Sequence, residues 1–141
     1  MNTGKNAKQE LYYTNDHEWI DFQGSVAYVG ICAFKLKGIR QVDQLIFAPN
    51  EGLIEQGAIL ATIGYDDYQV AVHMPVNGKV ISINEALLAG DRELLLQHPE
   101  GNGWVALIVP GQLQERVGLV PAEQYSRSML KKQLNSNVSN T

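Results

Sequence analysis

Between Ile59 and Lys79 the chain alternates short β-prone runs with two turn signals, and this pattern constrains the fold more than any other feature of the sequence. Tyr68, Val70 and Val72 alternate with Gln69, Ala71 and His73, the two-residue period of a strand with unlike faces. The run from Ile59 to Tyr65 reads as the strand before it, with Asp66-Asp67 as the turn between them. Further on, MPVNGKVISI places Asn77-Gly78 between extended runs. Both residues tolerate positive φ, so a second reversal is predicted there.

The same grammar holds elsewhere. LYYTNDHEWIDF and SVAYVGI are rich in aromatic and β-branched residues, and QG separates them, so they are predicted to form an antiparallel pair. CAFKLKGIRQVDQLIF reads as a short helical turn followed by a strand, and APNEGLIEQG supplies a Pro-Asn-Glu-Gly turn. SINEALLAGDRELLLQHPEGNGW holds a short helix or an irregular loop ahead of the strand WVALIVP. Spaced apolar residues after Pro110 predict one or two short helices. Many short strands punctuated by glycine imply a mainly β barrel or sandwich, because closure deals with exposed strand edges. A doubly wound nucleotide-binding fold is not expected, and neither GxGxxG nor GxxxxGK[ST] is present.

At 141 residues the chain fits one domain. Residues 1–10 read as a flexible tail, 11–128 as the folded unit, and 129–141 as a polar, disordered tail. A net charge of −4 with eleven Lys+Arg spread along the chain leaves no basic stripe for nucleic acid or a membrane surface. Protein or small-molecule partners are expected. One cysteine allows no internal disulfide, no apolar run approaches the roughly 20 residues that cross a bilayer, and the first ten residues lack a signal-peptide core. A cytoplasmic location follows as the expectation.

Candidate chemistry is sparse. His17-Glu18, before Trp19, could in principle transfer protons, but neighbours on a strand face opposite ways. They read as a polar surface pair beside a buried tryptophan. His17, His73, His98 and Cys32 lack the close spacing of zinc ligands, so no metal is expected. Cys32 reads as a small buried hydrophobe, although Lys35, Lys37 and Arg40 lie close in sequence. Asp66-Asp67 reads as an exposed turn, with a cation or partner contact as the alternative. No nucleophile, base and orienting group stand together, so no enzyme activity is expected.

Taken in order, LYYTNDHEW, VAYVGI, the turn from Pro49 to Gly52, MPVNGKVISINEAL and RELLLQHPEGNGW resemble the glycine cleavage system H protein family, from about residue 11 to residue 128. The resemblance implies a lipoyl-domain-like barrel-sandwich hybrid with short helical additions. It also implies a carrier rather than an enzyme. In that family a lysine at an exposed hairpin tip bears lipoate, whose dithiolane accepts an aminomethyl group from the decarboxylase, presents it to the aminomethyltransferase and is reoxidised by a dihydrolipoyl dehydrogenase.

Counting back from Pro75 without gaps, the attachment position falls on Asp67, and the family's glutamate three residues earlier falls on Gly64. A one-residue slip places Asp66 or Tyr68 there, and no lysine occurs from Ile54 through Met74. Amide-linked lipoylation requires a primary amine, so bound lipoate is not expected. The resemblance therefore implies a non-lipoylated, protein-binding member whose Tyr65, Asp66, Asp67 and Tyr68 face a partner of glycine cleavage or lipoate metabolism. One alternative is a small-molecule binder using a cleft around His17, Glu18 and Trp19, near Gly103-Trp104. Another is a true carrier with a relocated lysine such as Lys79.

Overall fold

The computed structural model describes residues 11–48, 52–111 and 117–139; side chains are described through residue 131. Two antiparallel sheets face one another across the core. In chain order the strands are β1 (Leu11–Tyr13), β2 (Glu18–Gln23), β3 (Val26–Ile31), β4 (Gln44–Phe47), β5 (Leu53–Ile54), β6 (Ile59–Tyr65), β7 (Tyr68–His73), β8 (Gly78–Ile83), β9 (Ala106–Pro110) and β10 (Val120–Pro121). The larger sheet runs β10-β1-β2-β3-β9-β8-β5, and the smaller runs β4-β6-β7. A 3-10 turn (Ala33–Leu36) leads towards β4, and the described residues also form the helices α1 (Glu85–Leu88), α2 (Glu93–Gln97) and α3 (Ala122–Ser139).

The core forms where apolar residues of the two sheets meet. Ile20, Val29, Ile31, Leu60, Ile63, Val72, Met74, Val76, Leu95 and Ile108 are all sealed from solvent. Each such side chain contributes about 1.5–3 kcal/mol relative to leaving it in water. A smaller cluster, Leu11, Tyr13, Trp19 and Cys32, lies apart from the main core and is flanked by Tyr28, Trp104, Val120 and Tyr125. Two apolar layers therefore cover β2, which explains why four consecutive residues, Glu18 to Asp21, are buried there.

The predicted β2–β3 pair is present, with Gln23 opposite Val26, and the short helical turn predicted before β4 is the 3-10 turn. LYYTNDHEWIDF, however, is not one strand. It breaks at 14–17, where His17 adopts φ +63, and β1 folds back on β2. Asn77-Gly78 does not close a hairpin either. β7 pairs with β6, while β8 pairs with β5 and β9 in the other sheet, so the chain changes sheets there. Asn77 holds the crossing: its Oδ1 accepts the Gln56 N–H at 2.6 Å, and its carbonyl accepts the Gly111 N–H at 2.7 Å. Gly78 is required by proximity, because a Cβ there would sit 2.9 Å from the Val109 carbonyl oxygen.

Asn84 explains the INEAL segment. Its side-chain oxygen caps α1 through the Ala86 N–H, and its amide donates to the carbonyls of Asn102 and Trp104. After β9 the one or two short helices expected are met, among the described residues, by one longer helix, α3, which follows the two-residue β10. That helix continues to Ser139, through the polar run for which the sequence suggests an unstructured tail. The turn expected at Pro49 to Gly52 lies mostly outside the described residues.

Candidate functional site

The β6–β7 hairpin projects one exposed turn. Tyr65 pairs with Tyr68 across it, so Asp66 and Asp67 form a two-residue loop, with Asp66 at φ +51. Aspartate tolerates this left-handed conformation better than most residues. The turn is held from outside the hairpin, because Asp43, just before β4, accepts the Asp66 N–H through Oδ2 at 2.8 Å. The Tyr65 and Tyr68 rings lie 5.8 Å apart, and Tyr68 is two-thirds exposed. Gln44, Gly64 and Gln69 line the same open depression as Asp43, Asp66, Asp67 and Tyr68. The tip thus presents three carboxylates and a pair of aromatic rings. Asp43 carries no turn or motif signal of its own in the sequence, and only the fold reveals it as part of the tip.

At the other end of β7 the picture is different. Glu18, expected at the surface, is buried, with its side chain 2% exposed. Its Oε2 accepts Lys35 Nζ at 2.9 Å and the His73 backbone N–H at 2.8 Å, and His73 Nδ1 lies 2.8 Å from the same oxygen. Thr14 completes the arrangement by donating its hydroxyl to Oε1 at 3.2 Å. These donors offset the cost of removing a carboxylate from water. Asp16 adds a second carboxylate, with Oδ2 3.6 Å from His73 Nδ1. Asp16, Glu18 and His73 share the wall of a groove of about 210 Å³ with Thr14, Asn15, Gln56 and Met74. They are the described residues whose geometry suits a metal ion.

The residues expected to share one cleft are separated. Glu18 faces this groove, whereas Trp19 is fully enclosed and donates its indole N–H to the carbonyls of Pro99 and Ile31 at 2.9 and 3.2 Å. His17 turns towards the C-terminal helix, with Nδ1 2.7 Å from the Tyr125 hydroxyl and its ring 4.5 Å from Phe34. Trp104 stacks edge-on against Tyr28 at 4.9 Å. Lys79 is exposed in mid-sheet opposite Leu53 and Val109, on the other sheet from the hairpin turn.

Cys32 is buried, as expected. Burial pushes its thiol well above the ordinary range, and the negative charge of Glu100 pushes the same way, against a weaker lowering by the Tyr125 hydroxyl. Lys35, which could have activated it, is engaged by Glu18 instead. The thiol stays protonated and unreactive.

The hairpin, the capped Asn84 loop and the enclosed Trp19 now stand together as one architecture. A family model described as Glycine cleavage H-protein matches residues 11–133. The chain belongs to that family. It is 35% identical over 123 residues to a glycine cleavage system H protein of Bacteroides fragilis, covering 85% of this chain and 94% of that one. A second, from Bacteroides thetaiotaomicron, is 33% identical with the same coverage. The crystal structure of a glycine cleavage system H protein from Mycobacterium marinum superposes with a TM-score of 0.71 at 20% identity, over 86% of this chain and 97% of that one. That likeness shows the barrel-sandwich fold. Members of the family are lipoyl carriers that work with the glycine cleavage enzymes, and are not themselves enzymes.

Proposed function

We propose that this H-protein family member is a non-lipoylated, cytoplasmic protein-binding module, docking through the β6–β7 hairpin on a protein of glycine cleavage or lipoate metabolism. The observation that carries this reading is the hairpin tip itself. Asp66 and Asp67 occupy the exposed turn, and no lysine lies between Ile54 and Met74. A carboxylate cannot form the amide that anchors lipoate, so the carrier scaffold presents a fixed acidic and aromatic surface instead of a mobile arm. The exposed Tyr68, beside the half-buried Tyr65, suits such a role, since tyrosines supply large contact area at low conformational cost.

Intact-mass spectrometry of the protein from its native cells tests the first half: an unmodified mass is expected, and a lipoyl adduct on any lysine would overturn it. The second half is tested by capture with the purified glycine cleavage and lipoate-attaching enzymes. At least one should be retained by the wild type and lost with Tyr68→Ala and Asp67→Lys.

A further inference from the structure

We propose that Asp16, Glu18 and His73 form a binding site for a first-row divalent cation of the zinc type. The fold brings them from the β1–β2 turn, the start of β2 and the end of β7. His17 lies between the two carboxylates, and its φ of +63 lets Asp16 and Glu18 both border the groove while its own ring packs on Phe34 and Tyr125. Their ligand atoms all lie within 4.8 Å of one another. His73 Nδ1 is 2.8 Å from Glu18 Oε2 and 3.6 Å from Asp16 Oδ2. Donors about 2.0–2.2 Å from a common ion stand roughly 3 to 3.5 Å apart, so the two spacings from His73 Nδ1 bracket what coordination requires.

The Glu18 carboxylate already attracts a cation in this fold. The chain holds one against Glu18, the Lys35 ammonium, 2.9 Å from Oε2. The Asp16 carboxylate, 3.6 Å from His73 Nδ1, adds a second negative charge, and the imidazole makes up the set. One nitrogen and two oxygens favour zinc and its neighbours over magnesium or calcium, which prefer all-oxygen shells. Thr14, Asn15 and Gln56 line the rest of the groove, leaving space for water in the remaining positions. Coordination uses the Nδ1 lone pair, so the neutral ring carries its proton on Nε2 when the ion is bound. Lys35 competes with the ion for Glu18.

The test is calorimetric titration of the full-length, chelator-treated protein with zinc chloride and, separately, magnesium chloride. Saturable uptake of one zinc per chain and no uptake of magnesium are expected. Asp16→Asn should weaken zinc binding about tenfold or more; Asp16 is exposed, so this variant should fold normally. His73→Ala should abolish binding, Lys35→Met should tighten it, and His98→Ala should leave it unchanged. A wild type that takes up no zinc, or uptake that survives both Asp16→Asn and His73→Ala, overturns the proposal.

Discussion

Glu18 meets His73 twice, through the backbone N–H and through Nδ1, each at 2.8 Å from Oε2. The contact joins the larger sheet to the end of β7, and so to the base of the projecting hairpin. Lys35 neutralises the same oxygen from the 3-10 turn. Removing the carboxylate leaves the Lys35 ammonium, only 18% exposed, without its counter-charge. Glu18→Ala is therefore expected to destabilise the protein by about 3 kcal/mol, read from urea denaturation midpoints. Glu18→Gln keeps the shape and some hydrogen bonding, and should cost less.

Gly30 and Trp19 form an equally sharp constraint. They pair across β2 and β3, and a Cβ on Gly30 would lie 2.6 Å from the indole ring. The ring is fixed by its two carbonyl bonds and enclosed on all sides, so it has no room to yield. Gly30→Ala should cost about 2–3 kcal/mol, seen as a clear fall in melting temperature. A melting temperature equal to wild type would mean that β3 shifts away from Trp19 at no cost.

These two contacts also mark the limit of what was legible in the sequence. The β6–β7 hairpin was readable because its alternation and its Asp-Asp turn are local. Trp19 was readable as buried, and Gly30 as part of a family-like strand. Glu18 was not, because a regular strand would have put it opposite its neighbours, whereas the left-handed turn at His17 and the covering of both sides of β2 enclose it. Its partners lie 17 and 55 residues away, beyond any spacing rule. Asn77-Gly78 misled for the opposite reason. Its local chemistry suits a hairpin, but Asn77 bonds to Gln56 and Gly111 instead and carries the chain between sheets.

The small cluster beneath α3 sets an alkaline limit on stability. Burial raises the Cys32 thiol above its ordinary 9.0 and the Tyr13 and Tyr125 phenols above their ordinary 10.0, with Glu100 opposing ionisation of each. These are acids whose folded form holds the proton more tightly than the unfolded chain. Their contribution is intact below the ordinary values and is lost as pH rises through and beyond them. Urea denaturation between about pH 8 and pH 11 should therefore show falling stability. Tyr125→Phe, which cannot ionise, should flatten that fall, and an unchanged slope would show that the cluster does not control it.

The hairpin can be asked directly whether a lysine is what it lacks. Gly64 faces Gln44, and a Cβ there would meet its side chain no closer than 3.4 Å, ordinary contact that a glutamate can make. Asp67 is exposed in the turn, so a lysine there would extend into solvent without disturbing the pairing of Tyr65 with Tyr68. With a purified lipoate ligase, lipoate and ATP, wild type should gain no mass, whereas Asp67→Lys combined with Gly64→Glu should gain one lipoyl group on the new lysine. Modification of the double variant would show that the scaffold still presents its turn as a carrier does and that the residues at 64 and 67 silence it. A folded double variant that stays unmodified would mean that the surface around the tip, including Asp43 and the two tyrosines, has diverged too far for the ligase to dock.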